Sequence, residues 1–222
     1  MNLPASLFDS ELLWLCNLTF FILLTRAFKF AGWREMLNNS LRSNALIGLL
    51  FCTPVFWILS AGIHPGFNFH LIGSTLFLLI FGWPIALISL TLIMFGTWIY
   101  SGIDIISIGI NGLLMLAVPM LFTEWLLRFS QHYLPKNFFL FVLLNGFACA
   151  GIATALMMLA ITLTLLGLSH YTWPEIQYHY FIPAPILIFA ESFATGAVIT
   201  GFTVAQPEAV KNFSVEDYLT GK

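Results

Sequence analysis

The residues best suited to chemistry lie close together in residues 64–70, which read HPGFNFH. The Pro-Gly pair favours a turn, so the imidazoles of His64 and His70 can approach each other across it. Neutral imidazole is a ligand for nickel, cobalt, copper and zinc ions. The segment therefore predicts a metal site with His70 and His64 as ligands and Asn68 between them. Histidines that cap helix starts and face water are the alternative interpretation.

Other groups could complete or surround this site. Met1 carries the terminal amine, which could form a square-planar site with nearby backbone nitrogens if residues 1–11 fold back. Glu191 is the acid most deeply embedded in an apolar segment, where a carboxylate costs a few kcal/mol on insertion scales. We expect Glu191 either to have a functional role or to be a structural pin, a side chain that holds segments together through a hydrogen bond to Asn111 or Asn145. Asn111 itself, flanked by glycines, could brace a loop backbone or line the path of a solute.

The composition indicates which elements must position these residues. The chain is 59% hydrophobic and 8% charged, with a mean hydropathy of +0.93, whereas a soluble domain has about 25% charged residues. Residues 1–222 are therefore predicted to form a single all-α transmembrane domain in a lipid bilayer. The sequence has no basic block typical of nucleic-acid binding and none of the Walker A, Gly-x-Ser-x-Gly or His-Glu-x-x-His motifs. We expect neither an enzyme nor a protein that hydrolyses ATP itself.

The apolar segments predict seven transmembrane helices. A span needs roughly 20 residues, so residues 71–100 are too long for one helix and are divided at Gly82-Trp83-Pro84. The N-terminus is then outside and the C-terminus inside, with residues 207–222 as a cytoplasmic tail whose last ten residues, 213–222, are a frayed polar end. The predicted helices cover residues 12–28, 45–62, 71–81, 84–100, 106–128, 138–168 and 182–205.

The basic residues support this orientation. With seven spans, all three basic regions fall on the inner side, as expected for cytoplasmic loops. The predicted outer surface, residues 1–11, 61–70, 101–105 and 169–181, contains His64, Asn68 and His70 but no Lys or Arg. The inner basic residues are Arg26, Lys29, Arg34, Arg42, Arg128, Lys136, Lys211 and Lys222.

Two helices carry stripes of small residues that favour close packing. One stripe contains Gly146, Ala150 and Thr154, and the other contains Ser192, Gly196 and Thr200. They are expected either to pack within the chain or to dock onto another membrane subunit.

Three motifs in order resemble those of the CbiM/NikM family. Residues 69–76, FHLIGSTL, followed by FGWP at 81–84, resemble its "GHLIGGAL…LGPW" signature. Residues 108–111, IGIN, with Met115 are similar to "LGANVFNM", and residues 191–196, ESFATG, are similar to "GEGLITG". The matches span residues 69 to 201, about three fifths of the chain. Members are substrate-binding membrane subunits of energy-coupling-factor transporters for cobalt and nickel.

The resemblance implies a site and a function. His70 carries over as a ligand and Met1 through its amine. Family members begin Met-His, whereas this chain has Asn2, so one imidazole is missing and His64 could replace it. The resemblance implies a substrate-capture permease subunit of the bacterial inner membrane for a divalent transition metal, namely nickel, cobalt, copper or zinc. It implies no tightly bound cofactor. The partners that it implies are a transmembrane coupling subunit and separate ATPase subunits.

A second hypothesis belongs to another class of protein. The incomplete ligand set and the small-residue stripes would also suit a non-transporting assembly or scaffold protein for a metal-containing respiratory complex. Co-purifying partners distinguish the two hypotheses.

Overall fold

The regular structure of the chain is helical. A computed structural model describes residues 2–60, 67–101, 104–169 and 171–218. The short turns Ala5–Leu7 and Pro207–Ala209 are 3-10 helical. The helices are α1 (Ser10–Phe30), α2 (Trp33–Asn38), α3 (Ser40–Ile58), α4 (Ser74–Phe81), α5 (Trp83–Ser101), α6 (Ile105–Tyr133), α7 (Phe138–Leu168), α8 (Trp173–Ala205) and α9 (Val215–Tyr218).

The helices are those of a multi-pass membrane protein. Within the ranges described above, α1, α3, α6, α7 and α8 make five helices that are long and apolar enough to cross a membrane. Residues Trp83–Ile99 of α5 form a shorter apolar helix. The all-helical, multi-pass prediction is therefore confirmed, while the count of seven spans and the orientation of the termini stay predictions.

The short helix α4 lies at the centre of the fold. A bilayer core is about 30 Å thick, but α4 has only eight residues and rises about 12 Å. It ends at Gly82, whose φ of 81° is a left-handed conformation that glycine adopts without strain. All eight side chains of α4 are buried. Residues 71–73, predicted as helical, lie outside the helix and lead into it, and Gly73 at its start has a left-handed backbone with a φ of 76°.

Three of the long helices contain wide π-helical turns, at Gly112–Ala117 in α6, Phe141–Ala148 in α7 and Gln177–Phe181 in α8. Such turns insert an extra residue into a helix and change the direction of the side chains that follow. The turn in α7 contains Gly146.

The small-residue stripes pack against each other within the chain. Ser192 of α8 donates a hydrogen bond from its hydroxyl to the carbonyl oxygen of Phe147 in α7, 2.6 Å away. A Cβ added at Gly196 would overlap the Phe147 ring, and one added at Gly146 would lie 3.5 Å from the Gly196 Cα. The intrachain interpretation of the stripes is confirmed.

The C-terminal tail packs against the end of α4, so the prediction that residues 213–222 are frayed is wrong for the described part. The backbone N–H of Lys211 donates to the Ile80 carbonyl at 2.9 Å. The Asn212 side chain donates to the carbonyls of Leu78 and Leu79 at 2.9 and 3.1 Å. The last carbonyls of a helix have no partner within the helix, and the tail supplies donors to them. Phe213, stacked on Tyr218 at 5.1 Å, is also buried.

An added methyl group at the α7–α8 contact should destabilise the protein. We expect Gly196→Ala to lower the free energy of unfolding in detergent by about 1–3 kcal/mol, because the Phe147 ring must move. Gly201→Ala on the same helix is the matched control, since a Cβ there meets nothing within 4 Å. Thermal unfolding of the purified variants measures both, and equal melting temperatures would contradict the packing described.

Candidate metal centre

His70 lies inside the protein. Only 3% of its surface is exposed, and its ring packs on Trp57 of α3 with the ring centroids 4.7 Å apart. His70 is therefore not one of the water-facing histidines of the alternative interpretation, and its predicted position on the outer side of the membrane stays a prediction. The extended segment before α4 enters the helical bundle, and the neighbouring Phe67 and Ile72 are buried with it.

Aromatic side chains cover this segment. Phe69 stacks on Tyr180 with ring centroids 5.4 Å apart, and Phe67 meets Tyr171 edge-on at 4.6 Å. Aromatic pairs of this geometry contribute beyond the area they bury. The N-terminal part of α8 and the residues before it thus hold the segment in place from one side.

The His70 imidazole has one nitrogen available for a ligand. Its Nδ1 is 3.5 Å from the Leu71 carbonyl oxygen, a long contact that favours the proton on Nδ1. Its buried Nε2 has no hydrogen-bond partner in the described structure. Burial holds the pKa of His70 well below its ordinary value. The ring is therefore neutral at neutral pH, with a lone pair on Nε2.

The amino-terminal segment is bound directly to the segment that carries His70. The backbone N–H of Asn2 donates to the Asn68 side-chain oxygen at 2.7 Å. Asn111 of α6 accepts from the Leu3 N–H at 2.8 Å and donates to the Leu3 carbonyl at 2.9 Å. Asn111 therefore braces the backbone of the amino-terminal segment. Bracing a backbone is one of its two predicted roles.

Glu191 pins the start of α4. Its two carboxylate oxygens accept from the backbone N–H groups of Ile72 and Gly73 at 2.9 and 2.6 Å. The structural-pin hypothesis is correct, but its expected partners are wrong. Asn111 binds Leu3, and the Asn145 side-chain oxygen accepts from Ser130 at 2.9 Å.

The sequence analysis missed Asn17. This residue of α1 donates to the Ile106 carbonyl at 2.9 Å and accepts from the Gly109 N–H at 2.7 Å. It fixes the first turns of α6, which carry Asn111. A signal was present, because an amide in the apolar run of α1 needs a partner and the glycines around Asn111 permit a close approach.

The ligand set is partly outside the described structure. His64 and Met1, two of the predicted ligands, lie outside the described residues. Among the residues that are described, no three His, Cys, Asp or Glu side chains come together as a metal-binding group. His70 is thus the predicted ligand that the structure describes, and other ligands would have to come from a chain end, an amide or a loop.

Comparison with known proteins identifies the family. The family model for CbiM, described as a cobalt uptake substrate-specific transmembrane region, matches residues 2–209. The chain belongs to the CbiM family. Two solved structures share the fold of this chain at low sequence identity, and a search of curated proteins gives no match.

The first is a truncated transition metal transporter, with a TM-score of 0.67, 19% identity, and coverage of 92% of this chain and 98% of the other. The second is a transition metal transporter, with a TM-score of 0.66, 20% identity, and coverage of 92% and 93%.

Loss of the Glu191 charge should loosen this CbiM fold at the start of α4. A carboxylate accepts with both oxygens, whereas the amide of Glu191→Gln places an NH₂ donor against one of the two N–H groups. We expect this substitution to lower the free energy of unfolding, measured in detergent without metal, by about 2 kcal/mol. Glu124→Gln is the control, because Glu124 pairs only with exposed Arg128 one turn away, at 2.7 Å. Equal stability of the two variants would refute the pin.

Proposed function

We propose that this chain is the substrate-capture permease subunit of a transition-metal uptake system. It binds a divalent ion, nickel, cobalt, copper or zinc, from the external side of a bacterial inner membrane. His70 is the central ligand, with Met1 through its amine and His64 as auxiliary ligands. Asn68, Asn111 and Glu191 hold the segments that carry the ligands.

One observation carries the proposal. The Nε2 atom of His70 is buried and has no hydrogen-bond partner in the described structure. An unpaired buried polar atom costs about 1–3 kcal/mol, and a bound ligand would supply the missing partner. In a family described as the substrate-specific region of cobalt uptake, a metal ion is the ligand that suits a neutral imidazole.

The chain needs partners to move the ion. It has no Walker A motif, and in the proposed system separate ATPase subunits supply the energy for uptake through a transmembrane coupling subunit. This is the energy-coupling-factor arrangement that the family resemblance implies. The lipid-facing surfaces of α1 and α3, with Trp14, Phe21 and Phe51 exposed, are available for the bilayer and for such a subunit.

One of the two observations that suggested the alternative function, a scaffold for a respiratory complex, no longer supports it. The small-residue stripes that suggested docking onto another subunit are occupied by the contact between α7 and α8. Affinity purification from the native membrane distinguishes the two functions. A coupling subunit with ATPases favours uptake, whereas an oxidase or a maturation factor favours the scaffold.

Metal-dependent stabilisation tests the proposal directly. A ligand at about 100 times its dissociation constant stabilises a protein by about 2.7 kcal/mol, so we expect a rise of several degrees in melting temperature with at least one of the four ions. His70→Ala should abolish this rise, because the buried nitrogen is lost. His132→Ala, which removes an exposed imidazole at the end of α6, should keep it. A wild-type protein that no ion stabilises would refute the metal claim.

A further inference from the structure

A groove on the lipid-facing side of the bundle belongs neither to the candidate metal centre nor to the tail. It has a volume of about 250 Å³ and is lined by residues of α1, α5 and α6. Leu87 of α5 and Ala117 and Met120 of α6 line it and are buried, whereas Leu121 at its rim is 69% exposed. The groove therefore has an apolar floor and opens toward the surroundings of a helix long enough to cross a membrane.

The groove follows two parallel helices. It extends over residues 23–30 of α1 and 117–124 of α6, about 10 Å along each helix. The helices run in the same direction, because the contact of Phe20 with Gly112 lies immediately before the groove in both of them. The charged residues that line the groove therefore lie toward the same end of the bundle, the end at which α1 finishes.

One of these charged residues has an unmatched charge. Glu124 is paired with Arg128 at 2.7 Å. Arg26 is exposed and forms no hydrogen bond or ion pair with any part of the chain that the structure describes. It lies four residues before the end of α1, where a long basic side chain can extend to the level of the lipid headgroups. The groove thus joins an apolar channel to a free guanidinium group.

A phospholipid has the complementary arrangement, an acyl chain next to a phosphate. A guanidinium group binds a phosphate with two parallel N–H donors. The acyl chain gains little by leaving the bilayer, because lipid tails are as apolar as the side chains of the groove. Selectivity must then come from the headgroup, and the net positive charge beside the groove favours an anionic headgroup over a zwitterionic one.

We propose that this groove binds an anionic phospholipid. The phosphate lies on Arg26, and the first part of one acyl chain lies against Leu87, Ala117 and Met120. The bound lipid fills the space between α1 and α6 and stabilises their contact at this end of the bundle. The inference goes beyond the proposed function and does not depend on whether His70 binds a metal ion.

Lipid binding to the purified chain in detergent tests the headgroup selectivity. Native mass spectrometry should show that phosphatidylglycerol binds about fivefold more tightly than phosphatidylcholine with the same acyl chains, as one basic residue near an anionic lipid provides. Arg26→Gln should remove this preference. Lys29→Gln is the matched control, because Lys29 is an exposed cation of α1 that does not line the groove, and this variant should keep the preference.

Photo-crosslinking locates the lipid on the unaltered chain. The probe is a phosphatidylglycerol with a diazirine in the first half of one acyl chain, added as a small fraction to phosphatidylcholine vesicles that contain the protein. It should label Leu87, Ala117 or Met120 in preference to Phe51, an exposed residue of α3 that represents the general lipid-facing surface. A phosphatidylcholine with the same diazirine should not show this preference.

Several outcomes would overturn the site. These are equal binding of the two lipids by the wild type, equal loss of the preference in both variants, and crosslinks no more frequent in the groove than at Phe51. Groove crosslinks that disappear in the complex purified from the native membrane would assign the groove to a partner subunit instead. The stabilisation by metal ions is measured separately, so either proposal can fail while the other stands.

Discussion

The rest of the structure depends on one contact, in which the carboxylate of Glu191 accepts hydrogen bonds from two backbone N–H groups. A helix that starts inside an apolar bundle exposes N–H groups with no partner within the helix. In a region without water, each such group costs several kcal/mol. Glu191 satisfies the N–H groups of Ile72 and Gly73 together, and its negative charge lies at the positive end of the α4 dipole. Glu191 therefore stabilises the start of α4 at the point where the chain enters the helix.

The C-terminal end of α4 has the complementary requirement for satisfied backbone groups. Carbonyl oxygens need donors there, and the backbone N–H of Lys211 and the side-chain amide of Asn212 provide them. Arg42 of α3 in turn holds the tail by donating to the carbonyls of Glu208 and Ala209 at 3.3 and 3.2 Å. Hydrogen bonds at both of its ends thus let the short helix α4 connect the segment that carries His70 to the C-terminal tail across about 12 Å.

The sequence predicts the helices and the break well, because these depend on local properties. Apolar length and the Gly82-Trp83-Pro84 breaker are visible in a single chain. The partners of the polar residues are less visible. Glu191 is recognisable as an expensive acid, but it bonds to backbone N–H groups, which nearly every residue carries. The burial of His70 and the packing of Phe213 also depend on which segments meet in space, and the spacing along the chain does not contain that information.

The placement of Asn2 follows from the same requirement for satisfied backbone groups. A chain terminus is ordinarily frayed, because few contacts offset the conformational entropy lost on ordering it. Here Asn111 supplies an acceptor and a donor to the single residue Leu3, as a neighbouring strand would. Asn17 fixes the turn from which Asn111 projects. Asn2 and Leu3 are thus held by contacts within the chain. Under the proposed function, this order lowers the entropic cost of binding an ion beside them.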